Sequence, residues 1–119
     1  MMKVPGPDHP IAVEPAPGRV TVRFRDAVVA ESRHALELRE ANYPPVLYIP
    51  RADAMLDHYV RSSHRTHCPY KGEASYFDLV AGEARAANAV WSYENPYPAM
   101  AKIREYVAFY PDRVAIERD

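Results

Sequence analysis

The stretch Ala74-Ser75-Tyr76-Phe77-Asp78-Leu79-Val80-Ala81-Gly82-Glu83-Ala84-Arg85-Ala86-Ala87-Asn88-Ala89-Val90-Trp91-Ser92-Tyr93 decides the fold class. Ala74 to Val80 and Ala84 to Tyr93 read as two strands, and Ala81-Gly82-Glu83 between them has the length and glycine content of a hairpin connection. On the second strand Ala89, Trp91 and Tyr93 fall at every second position and so share one face. Antiparallel sheet is the expected ground plan.

The same period recurs upstream. In Val20-Thr21-Val22-Arg23-Phe24 the apolar residues alternate, Arg25-Asp26 reads as a turn, and Ala27 to Glu31 as the returning strand. Ala35-Leu36-Glu37-Leu38-Arg39-Glu40 alternates as well. Its residues are good helix formers, but six alternating positions present no helical stripe, so a strand is preferred. Asn42-Tyr43-Pro44-Pro45 breaks the chain before a short β-rich run, Val46 to Ile49, which Pro50 ends. Arg51 to Leu56 reads as a turn leading to a strand around Met55 to Val60, and Val114-Ala115-Ile116 as a last strand. One helix is expected near the C-terminus. Asn95 is its cap, Pro96 lies in its first turn, Met100, Ile103 and Val107 recur at helical spacing, and Tyr106 and Tyr110 extend the apolar face. The expectation is about seven short strands in antiparallel sheets with this one helix, a mainly β (α+β) chain.

At 119 residues the chain is one domain by the usual size prior. Pro5 to Pro17 carries five of the twelve prolines, so residues 1–18 are read as a proline-rich arm and residues 19–119 as the single domain. The Ile11-Ala12-Val13 patch gives that arm a means of docking. Lys and Arg total 15 against 16 Asp and Glu, which leaves no bulk positive field of the kind that binds nucleic acid. No apolar run reaches the ~20 residues needed to cross a bilayer. The lone cysteine makes no internal disulfide, and nothing near Met1-Met2-Lys3 resembles a secretory apolar region, so a cytoplasmic location is expected.

Chemistry gathers in Ser63-His64-Arg65-Thr66-His67-Cys68-Pro69-Tyr70-Lys71-Gly72. His64, His67 and Cys68, with Asp57 or His58, are chemically suitable zinc ligands, but adjacent His67 and Cys68 point to opposite sides of an extended strand, so no metal is expected. Cys68 is a candidate nucleophile, with His64 and Lys71 favouring its thiolate, or else a small packed hydrophobe. Lys71-Gly72 lacks the flanking glycine and hydroxyl residues of a phosphate loop. Asp53 and Asp57 read as turn-capping carboxylates rather than an acid–base pair. Tyr48, Arg51, His64, Thr66, Lys71, Tyr76, Trp91 and Tyr93 lie on or just beyond expected strands. Converging on one cleft, they would suit a small anionic or planar ligand, with arginine as a clamp and aromatics as walls.

The run Thr66-x-Cys68-Pro69-x-Lys71-Gly72-x-Ala74-x-Tyr76, then Ala89-x-Trp91-x-Tyr93, then Val107-Ala108-Phe109-Tyr110-x-Asp112-x-Val114, resembles the domain-of-unknown-function family number 427. Gly18-Arg19-Val20 and Tyr48-x-Pro50 match its pattern too. The resemblance implies a β-tent-like architecture, two antiparallel sheets meeting at an angle, as in methionine sulfoxide reductase B and the ligand-binding domain of cereblon. Relatives of that fold hold a structural zinc on two cysteine pairs; with one cysteine, this chain is expected to lack it. The family supplies no established activity. A nucleotidyl-transfer label attached to it is not adopted, because no carboxylate pair is placed to hold magnesium. No cofactor is expected. Three readings stand side by side: a small-molecule-binding β domain, an enzyme using Cys68 with His64 and Lys71, and a protein-interaction domain pairing through a sheet edge or the helix.

Overall fold

The computed structural model describes residues 2–119; Met1, the first residue of the expected arm, lies outside them. The strands, in chain order, are β1 (Ile11–Pro15), β2 (Val20–Phe24), β3 (Ala27–Ser32), β4 (Leu36–Glu40), β5 (Val46–Tyr48), β6 (Tyr59–Cys68), β7 (Gly72–Ala81), β8 (Ala84–Ser92), β9 (Ala108–Phe109) and β10 (Ala115–Arg118). The chain is mainly β. The hairpin expected around Ala81-Gly82-Glu83 is β7–β8, turning at Gly82, whose φ of 59° suits a residue without Cβ.

The sheets number three among the described residues, not the two expected: β1-β4-β5, β10-β2-β3 and β6-β7-β8-β9, all antiparallel. Ile11–Pro15 pairs along β4 from Ile11 opposite Glu40 to Pro15 opposite Leu36, so part of the expected arm is the outer strand of this sheet. A single bridge, Ile49 to Val107, ties the β1–β4–β5 sheet to the central one, and another, Ala30 to Ala54, ties β3 to the turns before β6.

The expected C-terminal helix is also corrected. Pro98–Ile103 forms only 3₁₀ turns, kinked at Met100, and the chain is extended from 107 to 109 before turning again. Pro96 and Pro98 lack N–H groups, and the ladder captures the residues beyond the turns: Glu105 N donates to Tyr93 O at 3.0 Å and Val107 N to Ile49 O at 2.8 Å. Glu105 takes a left-handed φ of 65° to make this exit. Met100 and Ile103 are buried as their spacing implied, but in 3₁₀ geometry. The strand expected at Met55 to Val60 is displaced too. Arg51–Asp53 and Leu56–His58 are 3₁₀ turns, and β6 starts at Tyr59 and runs through His64, Thr66 and Cys68.

Side chains of the central sheet feed two cores. Phe77 and Leu79, Val90, Phe109 and Ile49 join Val20, Val22 and Val29 in an aliphatic cluster, while Tyr76, Ala108 and Tyr48 join Leu38, Tyr93, Met100 and Ile103 in a tyrosine-rich one. Neighbours in sequence part company because successive strand residues point to opposite faces. The β2–β3 sheet covers the aliphatic side and the β1–β4–β5 sheet the other.

Candidate functional site

The tyrosine-rich side is not filled. A cavity of about 280 Å³ lies between β4–β5 and the face of β7–β8, lined by Glu40, Tyr48, Lys71, Tyr76, Trp91 and Tyr93, with Tyr43 and Tyr110 near its rim. Each position follows from strand parity. Leu36, Leu38 and Glu40 share one face of β4, so the alternation that buries Leu38 also turns Glu40 inward. Tyr76 on β7 lies opposite Trp91 on β8, which sets the two rings side by side. Lys71 is delivered by the tight connection from β6. Gly72 holds a φ of 107° there, a conformation that side chains rarely adopt, and Lys71 O accepts from Tyr97 N at 3.0 Å.

Lys71, only 6% exposed, donates from Nζ to Glu40 Oε1, and the other carboxylate oxygen accepts from His9 Nε2 at 2.7 Å. His9 is itself fixed by stacking on Tyr70, with ring centroids 4.0 Å apart. Burial pushes the Glu40 carboxyl upward, but the hydrogen bonds and charges of Lys71 and His9 outweigh it, so the group sits below its ordinary value and stays ionised. The ammonium also lies 6.0 Å from the Tyr93 ring centroid and 3.7 Å from Cys68 Sγ.

The hydroxyls form a second layer. Tyr48 Oη accepts from Trp91 Nε1 at 3.2 Å. Tyr76 Oη lies 2.9 Å from Thr66 Oγ1 and 3.4 Å from Tyr110 Oη. Burial raises the Tyr48 and Tyr93 phenols above their ordinary range, and burial with the Tyr76 contact pushes Tyr110 up to about 12. These three are neutral at any ordinary pH, so the cavity sets them beside one ion pair. Trp91 leans on Tyr110 at 4.6 Å, a ring partition at the mouth.

Five of the eight residues expected on one cleft line this cavity: Tyr48, Lys71, Tyr76, Trp91 and Tyr93. Thr66 reaches it only through the Tyr76 hydroxyl. His64 sits edge-on to Tyr76, centroids 4.5 Å apart, but faces a separate hollow with Asn88 and Arg113. Arg51 stands elsewhere. Its guanidinium binds Glu94 at 2.7 Å, Ser92 Oγ at 2.8 Å and Glu105 O at 3.0 Å, and Arg61 holds the same Glu94 with two bonds of 2.9 Å. Arg51 thereby clamps the turn after β5 to the end of β8. Of the proposed trio, Lys71 and Cys68 meet while His64 belongs to the neighbouring hollow.

His67 lies 3.3 Å from Tyr97 Oη, and among the described residues no three His, Cys, Asp or Glu side chains gather closely enough to hold a metal ion. Asp53 accepts from Ser32 Oγ at 2.6 Å. No helix of the described residues is long and apolar enough to cross a membrane.

Sequence reasoning missed Glu40, Tyr43 and Tyr110 as cavity residues, and His9 as the partner of Glu40. Glu40 carried a legible signal, a charge on the inward parity of an otherwise apolar strand face. Tyr110 was legible as apolar but was assigned to a helix. Nothing local marks His9.

A small antiparallel β domain with an aromatic cavity around a buried ion pair is the class that this geometry defines. The chain belongs to the family described as a domain of unknown function (DUF427), which matches residues 12–119. No curated protein matches the chain.

Proposed function

We propose that the chain is a small-molecule-binding domain and that its ligand is planar and uncharged, with a hydrogen-bond donor and acceptor on one edge. The observation that carries this is the Lys71–Glu40 pair buried at a cavity that apolar side chains leave unfilled. A buried ion pair adds little or nothing to stability compared with well-packed apolar residues. An adjacent donor and acceptor facing empty volume match an amide-like edge, and the surrounding rings match a flat body. Glu40 neutralises Lys71 and Arg51 is engaged by Glu94, which favours the planar option over the anionic one. The tent-like meeting of sheets belongs to the same reading, with the cavity at the seam between β4–β5 and β7–β8. The proline-rich arm contributes to it through His9, which meets Glu40.

Trp91, the single tryptophan, lines the cavity and reports occupancy directly. Titration with benzamide and related planar amides is expected to change its fluorescence, and the double substitution Glu40→Gln with Lys71→Met to abolish that response. A flat titration across planar amides at millimolar concentration would overturn the proposal.

The cysteine reading keeps one supporting contact, Lys71 Nζ at 3.7 Å from Cys68 Sγ. Rapid alkylation of Cys68 by iodoacetamide near neutral pH is its test; labelling only after denaturation sinks it.

A further inference from the structure

A second hollow, of about 460 Å³, shares no lining residue with the tyrosine cavity. It lies where the end of β2, the β2–β3 turn, β8 and the turn before β10 meet. Arg23, Arg25, Arg85 and Arg113 line it, against one carboxylate, Asp112. The chain as a whole carries a net charge of -1, so this concentration of guanidiniums is local. Like charges gathered in this way repel one another unless something neutralises them.

Neutralisation by the chain itself is incomplete. Arg23 Nε donates to Glu117 Oε1 at 3.2 Å and Arg85 Nη2 to Asp78 Oδ2 at 2.7 Å, which leaves each guanidinium with N–H donors to spare. Among the described residues Arg25 and Arg113 meet no carboxylate. Arg113 gives Nη1 to the Ala87 carbonyl at 3.3 Å, a contact that orients the side chain without cancelling its charge. Arg25 stands at the β2–β3 turn with a left-handed φ of 55°, where glycine or asparagine fits with less strain, and its guanidinium lies 5.9 Å from the Phe24 ring centroid. The turn itself does not call for an arginine.

We propose that this hollow binds a small phosphate ester, at a site independent of the tyrosine cavity. Guanidiniums from three stretches of chain present N–H donors from several directions, which suits the tetrahedral oxygens of a phosphate better than the single plane of a carboxylate. The volume falls in the range of sites for small organic molecules, so the phosphate brings a body with it. Outside the hollow the chain has no positive excess to track an extended polyanion, which selects a small ester over a phosphate polymer.

The test is a phosphorus NMR titration of phenyl phosphate and of inorganic phosphate with the full chain, at fixed ionic strength in chloride. Phenyl phosphate is expected to bind at millimolar concentration or below, and more tightly than the bare ion. Arg25→Gln and Arg113→Gln should each weaken it about tenfold. Asp112→Asn should tighten it about threefold, a gain that misfolding does not produce. Arg104→Gln removes the same charge at an exposed position outside the hollow and should leave the affinity unchanged. Unshifted, unbroadened phosphorus lines overturn the proposal. So does a loss in Arg104→Gln equal to that in Arg25→Gln, which would make the effect one of net charge. Equal affinity for the two probes reduces the hollow to an ion site and overturns the ester. Tighter binding of an oligothymidylate than of phenyl phosphate gives the arginines to a polymer, and also overturns it.

Discussion

The two faces of the β6–β9 sheet are made by the same strands and read opposite chemistry. On one face Phe77, Leu79, Val90 and Phe109 meet Val20, Val22 and Val29 in an aliphatic core. On the other, one residue out of step, Tyr76, Trp91 and Ala108 meet Leu38, Tyr48 and Tyr93, and the packing stops short around Lys71 and Glu40. Branched aliphatic side chains interdigitate to high density. Tyrosines are rigid and must satisfy a hydroxyl when buried, so their rings are placed by hydrogen bonds as well as by volume. The contrast separates a face packed to density from one that leaves a cavity.

Substitutions at three places sharpen that contrast. The largest effect is expected on the aliphatic face. Leu79 is fully buried there, and Leu79→Ala should cost about 3 kcal/mol, read as a fall in the urea midpoint, with benzamide binding retained in the folded fraction. A loss of binding at unchanged stability would erase the division of labour.

Next comes the ion pair. Lys71→Met leaves the Glu40 carboxylate with His9 alone and should cost about 2 kcal/mol, somewhat less than a fully buried pair because the cavity admits water. Adding Glu40→Gln removes the stranded charge and should return most of that loss without restoring the Trp91 response. Equal stabilities for the single and double variants would mean that the pair is not coupled.

The smallest effect is expected at Glu94. Its two arginines, Arg61 first, hold the carboxyl down to about 2 against an ordinary 4.5. A carboxyl depressed by folding contributes stability above its unfolded value and loses it as pH falls through the folded one. Glu94→Gln should therefore cost under about 1 kcal/mol at neutral pH, in keeping with its partial exposure, and converge with the unsubstituted chain as pH falls from about 4.5 to about 2. A difference that stays constant across that range would show that the arginines do not depress this carboxyl.

Much of the fold was legible because a strand declares itself within a few residues. Alternation in Val20 to Phe24 and Ala35 to Glu40 reports the pleat and Gly82 the hairpin, whereas Ala89, expected on the face of Trp91 and Tyr93, packs with Val90 in the aliphatic cluster, next to Asn88 with its left-handed φ of 53°. The late helix misled for a related reason. Met100, Ile103 and Val107 recur at helical spacing, yet their burial is satisfied equally by 3₁₀ turns and then a strand, and the ladder partners Tyr93 and Ile49 decided between them. Five cavity residues were legible through the central motif and the Trp91 strand. Arg51 and His64 lie outside the cavity, since residue type indicates a charge but not which way the chain carries it.

By itself the sequence determined a one-domain, mainly β chain, its hairpins, its family pattern and five residues that line the cavity, Tyr48, Lys71, Tyr76, Trp91 and Tyr93. Only the tertiary structure decided that Glu40 meets Lys71, 31 residues away, and His9, 31 residues in the other direction. It also decided that three sheets form, and that arginines from three stretches of chain meet at one hollow. The physical reason is range. Pleat and turn geometry act between neighbours and leave a periodic trace, whereas the pairing of distant groups depends on which edges close on which faces, and that leaves no period to read.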